Sequence, residues 1–157
     1  MKLFKPLILK DSVEIKTTPE KIWEFFTNLE KNYKAWHPKD HVLFKWTKGK
    51  PMETGSRWYG EEVVMGKVFK LKGIIGKVIP NRKIVFKYSF PISLVAPWFE
   101  WSIEPKGSNS VFTTRSYIRA GDLSLKLARK EMETKIAMHN QHTREEGKNL
   151  KKILEKY

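Results

Sequence analysis

The four histidines of the chain fall into two clusters that lie about 100 residues apart. The first cluster is His37 and His41, and the second is His139 and His142. Imidazole is a common ligand of divalent metals and a common group in proton transfer near neutral pH. We therefore interpret the two clusters as halves of one site that the fold brings together.

The second cluster lies on a predicted long helix, where His142 and Glu146 are one turn apart on the same face. The apolar residues Met132, Leu150 and Ile153 fall near that face, which predicts that it turns towards the core. The opposite face carries charged residues and is expected to face solvent (Lys126, Lys130, Glu133, Arg144, Lys148, Lys151 and Glu155). A carboxylate on an inward face needs a partner. The pair could therefore hold a metal ion, or form a hydrogen-bonded His–Glu pair in the core.

A further carboxylate comes from a predicted strand that contains two adjacent glutamates. If this strand is regular, Trp58 and Glu62 share one face and Arg57 and Glu61 share the other. The face with the tryptophan is the better candidate for the interior, so Glu62 is predicted to point inward and Glu61 outward. A single bulge in the strand would reverse this assignment. Two inward carboxylates would repel each other without a cation, and with two histidines they make a reasonable four-ligand metal site.

The order of predicted elements indicates an α+β fold in one domain over residues 1–157. Thr18 and Pro19 are typical of a helix start, and Gly121 and Asp122 are predicted to open a helix of about 34 residues, roughly 50 Å long, that reaches Lys156. The predicted short helices cover the segment after Pro19 and Glu30–Trp36. Alternating patterns predict seven strands, at Asp11–Lys16, Val42–Trp46, Ser56–Met65, Lys67–Ile79, Lys83–Phe90, Trp98–Glu104 and Val111–Arg119. A long helix across a curved antiparallel sheet leaves a cavity, which is a natural ligand site.

Composition narrows the class of protein. The 157 residues include no cysteine, which excludes disulfide scaffolds and thiolate metal sites. No apolar run is long enough to span a bilayer, and the first ten residues lack the pattern of a secretory signal, so we expect a cytoplasmic protein. The net charge of +14 could indicate nucleic-acid binding, but only 6 of the 31 basic residues are arginine and the lysines are scattered. We therefore predict no nucleic-acid partner.

Several segments carry a resemblance to known families. The strand followed by Thr18 to Trp23 resembles the helix-grip fold of the START/polyketide-cyclase superfamily. Three segments, Tyr33–His41, Glu62–Lys67 and His142–Leu150, are similar to the 2,4-diacetylphloroglucinol hydrolase family. The resemblance implies a curved antiparallel sheet around a long C-terminal helix. It also implies zinc held in the cavity by two histidines and two glutamates, and hydrolysis of a carbon–carbon bond between an acetyl group and a phenolic ring.

Carried over by position, the implied metal ligands are His41, Glu62, His142 and Glu146, with His37 as the alternative to His41. Tyr33 matches a position that contacts substrate. Mn²⁺ or Fe²⁺ would accept the same donors as Zn²⁺. The hydrolase that gives the family its name is longer, with an N-terminal region used in dimerisation that has no counterpart here. The resemblance therefore supports the metal site more strongly than it supports the substrate.

In this chemistry, an inward acid or base protonates the leaving ring carbon, and His37 and His139 are the candidates. The sequence thus predicts a metal-dependent hydrolase acting on a small acylated phenolic or polyketide-like compound. A non-catalytic binding protein for a small hydrophobic ligand is the alternative, and a basic adaptor for membranes or nucleic acid is a weaker third. The oligomeric state stays open between a monomer and a homodimer.

Overall fold

The computed structural model describes residues 5–120 and 129–156. A seven-stranded antiparallel sheet curves around one long helix, and the strands lie in the order β1-β7-β6-β5-β4-β3-β2. The strands are β1 (Lys5–Ile15), β2 (His41–Lys48), β3 (Arg57–Val64), β4 (Lys67–Ile79), β5 (Lys83–Tyr88), β6 (Trp98–Lys106) and β7 (Asn109–Ala120). The helices are α1 (Pro19–Thr27), α2 (Leu29–Trp36) and α3 (Arg129–Leu154), and a 3-10 turn covers Ile92–Leu94. This is the predicted α+β architecture.

The first helix begins where the sequence predicts. The Thr18 hydroxyl accepts a hydrogen bond from the backbone N–H of Lys21, and Pro19 takes the first helical position. The apolar residues Ile22, Phe25 and Phe26 then follow at helical spacing and are buried. They pack into a core that also contains Trp101 of β6 and Phe112 of β7. The apolar face of α1 therefore packs against β6 and β7 of the sheet.

Some boundaries differ from the prediction. Strand β1 begins at Lys5 rather than Asp11, because it pairs with β7 along its whole length up to Lys5–Ala120. As an edge strand it tolerates Pro6 and the lysines that interrupt its apolar pattern. The predicted start of the long helix at Gly121 and Asp122 lies outside the described residues.

Lys151 and Glu155, which the sequence places on the solvent-facing side of the long helix, also contact the end of β1. The Lys151 Nζ atom donates to the carbonyl of Glu14 at 3.0 Å and to Glu155 Oε1 at 2.8 Å. Glu155 also accepts from the backbone N–H of Lys16 at 2.8 Å. These contacts satisfy backbone groups at the end of β1, an edge strand, and so attach the last turn of α3 to the sheet.

No helix among the described residues is both long and apolar enough to cross a membrane.

Candidate metal centre

The first half of the site is formed where α2 ends and β2 begins. His37 follows the last residue of α2, and its carbonyl accepts hydrogen bonds from the backbone N–H groups of Asp40 and His41. This tight loop makes His41 the first residue of β2 and buries its side chain to 1% exposure. A turn of four residues thus places two imidazoles next to each other, with ring centroids 5.3 Å apart.

Pairing of β2 with β3 brings Glu62 directly opposite His41. A bulge interrupts the register between His41 and Leu43, but it lies in β2, so β3 keeps its regular alternation. Glu62 accordingly lines the cavity, while Glu61 accepts a hydrogen bond from the Tyr59 hydroxyl at 2.8 Å. Glu62 therefore faces inward, as the prediction from the tryptophan-bearing face expects.

Helix α3 supplies the second half. Glu146 is buried, and its carbonyl accepts a hydrogen bond from Trp36 Nε1 at 3.0 Å, which ties α3 to α2 beside the site. One residue further on, Gly147 lies against β1, where a Cβ would be at the ordinary van der Waals distance of 3.4 Å from the Val13 side chain. The helix thus packs against both α2 and β1 beside the site.

Four side chains meet between these elements. His41, Glu62, His142 and Glu146 each offer one ligand atom, and these atoms all lie within 4.8 Å of one another. Glu146 Oε1 lies 2.9 Å from Nε2 of His41 and 2.9 Å from Nε2 of His142. Glu62 Oε1 lies 4.0 Å from His41 Nε2. The structure thus brings together the four residues that the sequence predicts as ligands, from three separate elements.

The outer nitrogens of both histidines are already occupied. His41 Nδ1 lies 2.9 Å from the Tyr33 carbonyl oxygen, which can only accept, so this nitrogen carries a proton. His142 Nδ1 lies 3.0 Å from the Asp40 carboxylate and carries a proton for the same reason. A neutral imidazole then presents a lone pair at Nε2, and both lone pairs face Glu146. Lone pairs that face a carboxylate are stabilised by protons or by a shared cation between them, and the outer acceptors are those typical of metal-bound histidines.

His37 is arranged differently. Its Nδ1 accepts the backbone N–H of Asp40 at 3.1 Å, so its Nε2 carries the proton and donates to Glu145 Oε2 at 2.8 Å. In this state neither nitrogen has a free lone pair for a metal. The hydrogen bonding therefore favours His41 over His37 as the ligand and leaves His37 as a proton-carrying neighbour, with its ring centroid 4.7 Å from that of His142.

Tyr33 and His139 complete the predicted set. The Tyr33 hydroxyl donates to Glu62 Oε1 at 2.5 Å, and its ring stacks on His41 with centroids 3.9 Å apart. Burial and the charge of Glu62 raise the pKa of Tyr33 well above its usual value, so the hydroxyl keeps its proton. His139 lines the cavity with its side chain partly buried. Burial lowers its pKa, although the charge of Glu146 acts in the opposite direction.

The charges of the cluster couple strongly to one another. Burial alone would lower the pKa of His142, but its hydrogen bond to Glu146 and the charges of Glu146 and Glu62 raise it to about 10. Burial alone would raise the pKa of Glu146, but hydrogen bonds from His142 and His41 lower it well below its usual value. In the metal-free protein His142 is therefore an imidazolium that neutralises part of the carboxylate charge.

A divalent ion fits the donor set. A tetrahedral Zn²⁺ with ligand bonds of about 2.0–2.1 Å needs its ligand atoms about 3.3 Å apart, which is between the observed 2.9 and 4.0 Å separations. The set of two imidazoles and two carboxylates suits zinc, and also suits Mn²⁺ or Fe²⁺. The residues that would hold the ion are His41, Glu62, His142 and Glu146.

The site lies at the junction of two cavities. An inner cavity of about 120 Å³ lies between the sheet and α3, and an outer cavity of about 430 Å³ lies towards the tip of β3 and β4. Both are lined by Glu62, His139 and His142. The inner cavity has aromatic walls from Tyr33, Trp36, Phe44, Trp58, Phe86, Tyr88, Phe99 and Trp101.

Two residues of this site, Asp40 and Glu145, have no role in the prediction from the sequence. Asp40 orients His142, and Glu145 accepts from His37. Asp40 could have been recognised, because a metal-binding histidine needs an acceptor for its second nitrogen and Asp40 lies within the first histidine cluster. Tyr88 lines the inner cavity, where burial and the charges of Glu62 and Glu146 raise its pKa. No pattern in the sequence distinguishes Tyr88 from the core aromatics.

The fold is similar to that of several solved structures. The Aha1 dimer from Colwellia psychrerythraea is 18% identical, with a TM-score of 0.65 and coverage of 96% of this chain and 97% of that chain. A truncated norcoclaurine synthase from Thalictrum flavum is 12% identical, with a TM-score of 0.69 and coverage of 100% and 98%. The di-domain ARO/CYC BexL from the BE-7585A biosynthetic pathway is 12% identical, with a TM-score of 0.73 and coverage of 97% of this chain and 50% of BexL. These similarities confirm the predicted helix-grip fold.

No curated protein matches the chain. The resemblance to 2,4-diacetylphloroglucinol hydrolases stays a prediction. Residues 16–155 match the model of the Activator of Hsp90 ATPase homolog 1-like proteins. Because this match covers most of the sequence, the chain belongs to the family of Activator of Hsp90 ATPase homolog 1-like proteins.

Proposed function

We propose that the protein is a zinc-dependent hydrolase that removes an acyl group from a small phenolic or polyketide-like compound in the cavity. One observation carries the metal part of this proposal. Nε2 of His41 and Nε2 of His142 both face Glu146 Oε1 at 2.9 Å, while both Nδ1 atoms already donate to acceptors. A cation at this point would join two lone pairs and two carboxylates that otherwise need extra protons.

The dimensions of the cavities support a ring-shaped ligand. The inner cavity of about 120 Å³ is close to the roughly 150 Å³ cavity that is known to hold a benzene molecule. The outer cavity of about 430 Å³ falls within the range of about 300–1,000 Å³ that is typical of small-molecule sites. An aromatic ring packs well against the aromatic walls of the inner cavity, and its acyl substituent would then lie near the shared residues Glu62 and His142.

The proposed reaction balances with water as the only co-reactant. The bond between the acyl carbon and the ring carbon breaks, water supplies OH to the acyl carbon, and the ring carbon takes the proton. Bound zinc would supply Lewis-acid polarisation of the carbonyl and a water with a pKa near 7. The electrons of the broken bond move into the ring, which is tolerable when ring hydroxyl or keto groups accept the charge.

The chain's own residues would position and move the protons. His139 borders both cavities and has a lowered pKa, so it is neutral at neutral pH and can accept and return a proton. Tyr33 donates to Glu62 and stacks on His41, which fixes both ligands in position, and its ring also lines the inner cavity. His37 carries a proton on Nε2 against Glu145, beside His142, and is a second candidate for proton transfer.

The test is a hydrolysis assay on acetylphloroglucinol with protein purified without a polyhistidine tag, together with metal analysis of the same sample. We expect about one zinc per chain and release of acetate that stops after chelation and in His142→Ala. Glu61→Gln is the matched control, because Glu61 lies next to Glu62 in β3 but bonds to Tyr59 on the outer face.

Two results would contradict the proposal. If the folded protein contains no metal, the proposed metal centre is wrong. A metal-loaded protein that holds the acylphenol without releasing acetate would instead be a binding protein for a small hydrophobic ligand.

A further inference from the structure

The tip of the β3–β4 hairpin exposes large apolar side chains beside the outer cavity. Val64, Met65, Val68 and Phe69 are 38%, 60%, 56% and 46% exposed, and Met138 of α3 is 38% exposed. Val64, Met65 and Met138 also line the outer cavity. Apolar groups from two elements therefore meet in water at the mouth of the cavity.

The backbone of the tip makes this exposure unusual. Met65 and Gly66 form the two-residue turn between β3 and β4, and both have positive φ angles, of 53° and 76°. Asn, Asp and Gly are favoured at both positions of such turns, because bulky residues are strained in this conformation. The chain places a large apolar side chain that is 60% exposed in this turn despite the strain.

Lysines surround the apolar tip. Lys67 and Lys70 lie on β4 within the hairpin, and Lys39 lines the outer cavity beside the tip. All three are exposed, and none forms an ion pair with another of the described residues. The whole chain carries a net charge of +14. The surface thus combines an apolar centre with a basic rim of exposed lysines, of which Lys39 also helps to lower the pKa of Glu145 by its charge.

We infer that this surface docks on a bilayer that contains anionic lipids. We call it the docking face and define it by Val64, Met65, Val68, Phe69 and Met138 with Lys39, Lys67 and Lys70. It comprises both sides of the hairpin tip, because Val68 and Lys70 lie on the side of β4 opposite to Lys67 and Phe69. Apolar side chains can enter the acyl boundary while lysines pair with anionic headgroups, which is how interfacial segments bind membranes. A purely apolar partner would not account for the lysines, and a purely anionic partner would not account for the exposed apolar side chains.

Charge complementarity separates the bilayer from other occupants. A second copy of the chain would bring its own basic rim against the first, and the two would repel each other. A nucleic acid would satisfy the lysines but would leave Met65 and Val68 in water. An anionic lipid surface satisfies both kinds of group.

The docking face lies beside the outer cavity, which indicates a role in the entry of a ligand. Four of its residues, Lys39, Val64, Met65 and Met138, line the outer cavity, which Glu62 and His142 also line. Docking there would let an apolar ligand pass from the bilayer into the cavity without crossing water. This inference does not depend on a metal or on hydrolysis.

The test is co-flotation of the full chain with vesicles of phosphatidylcholine alone and of phosphatidylcholine mixed with phosphatidylglycerol. We expect binding to the mixed vesicles only, weakened by salt. Each lysine near an anionic surface contributes about fivefold, so Lys67→Gln with Lys70→Gln should lower the partition coefficient about thirtyfold. Met65→Ser should lower it about tenfold through lost apolar insertion.

The matched controls lie on the same strand at its other end. Lys77→Gln and Ile79→Ser change an exposed lysine and a 40% exposed isoleucine away from the hairpin tip, and both should bind as the parent does. Absence of binding to the mixed vesicles at low salt would overturn the inference. So would equal losses in the tip and control variants, a dimer that dissociates on Met65→Ser, or tight binding to random duplex DNA that Met65→Ser leaves unchanged.

Discussion

Metal binding at this site should release protons over an unusually wide pH range. In the metal-free protein the pKa of His142 is raised to about 10, because Glu146 lies 2.9 Å from Nε2 and Asp40 lies 3.0 Å from Nδ1. A zinc ion must replace the proton on Nε2. The apparent dissociation constant for zinc should therefore increase about tenfold for each unit by which the pH falls below about 10. Competition by the proton thus begins well above the pH of about 6.5 at which free histidine protonates.

The size of the effect follows from the shift of the pKa. A rise from 6.5 to about 10 corresponds to roughly 5 kcal/mol of interaction that favours the imidazolium, at about 1.4 kcal/mol per unit. At pH 7 about three units separate the pH from this pKa, so competition by the proton should weaken zinc binding about a thousandfold relative to the fully deprotonated site. The same shift stabilises the metal-free fold. That contribution is complete below pH 6.5, where the unfolded chain is also protonated, and is lost as the pH rises through about 10.

Calorimetric titration with zinc in buffers of different ionisation enthalpy measures this directly. We expect at least one proton released per zinc between pH 7 and pH 9. Glu146→Gln should lower both the number of protons released and the zinc affinity, because it removes the carboxylate that raises the pKa of His142 and also an anionic ligand. Zinc binding with no proton release and no pH dependence in this range would refute the arrangement of His142 and Glu146 described here.

Two further substitutions test other parts of the site. Glu62→Gln should weaken zinc binding by removing an anionic ligand, whereas Glu61→Gln, measured by the same metal-competition assay, should leave it unchanged; the reverse order would mean that β3 presents the other face. Asp40→Asn should lower zinc affinity about 10–100-fold while preserving the fold by circular dichroism, because Asp40 orients His142 through Nδ1. An unchanged zinc affinity in Asp40→Asn would show that Asp40 does not orient His142 for metal binding.

The sequence predicted the fold well because its patterns are local. Thr18 and Pro19 mark a helix start by their own chemistry, and the period of two in β3 and β6 follows from residues next to one another. Strand β1 was predicted six residues too short because its pairing with β7 compensates for lysines and a proline that weaken the local pattern. Edge strands depend on their neighbours more than on their own composition.

In the site, too, local sequence patterns could be recognised, whereas contacts between elements could not. Histidines and carboxylates with suitable spacing could be recognised from the sequence, and the phase of β3 allowed Glu62 to be distinguished from Glu61. The resemblance already favours His41 over His37 as the ligand, and the hydrogen bonds add a second reason, because Nδ1 of His41 faces a carbonyl oxygen whereas Nδ1 of His37 faces a backbone N–H. Asp40 was missed although it lies within the first histidine cluster, and Glu145 was missed because its contact with His37 arises only from packing across elements.

The link between His41 and Glu146 has a consequence for the margin of the sheet. Strand β2 lies at the edge opposite β1, and such edges are where sheets add foreign strands and aggregate. His41 begins this strand, and its hydrogen bond to Glu146 joins residues that are 105 positions apart. The same side chains that would bind a cation therefore restrain an exposed border of the molecule. Variants that disrupt the contact between His41 and Glu146 should therefore aggregate more readily on storage. A bound ion would slow this aggregation by holding β2 in place.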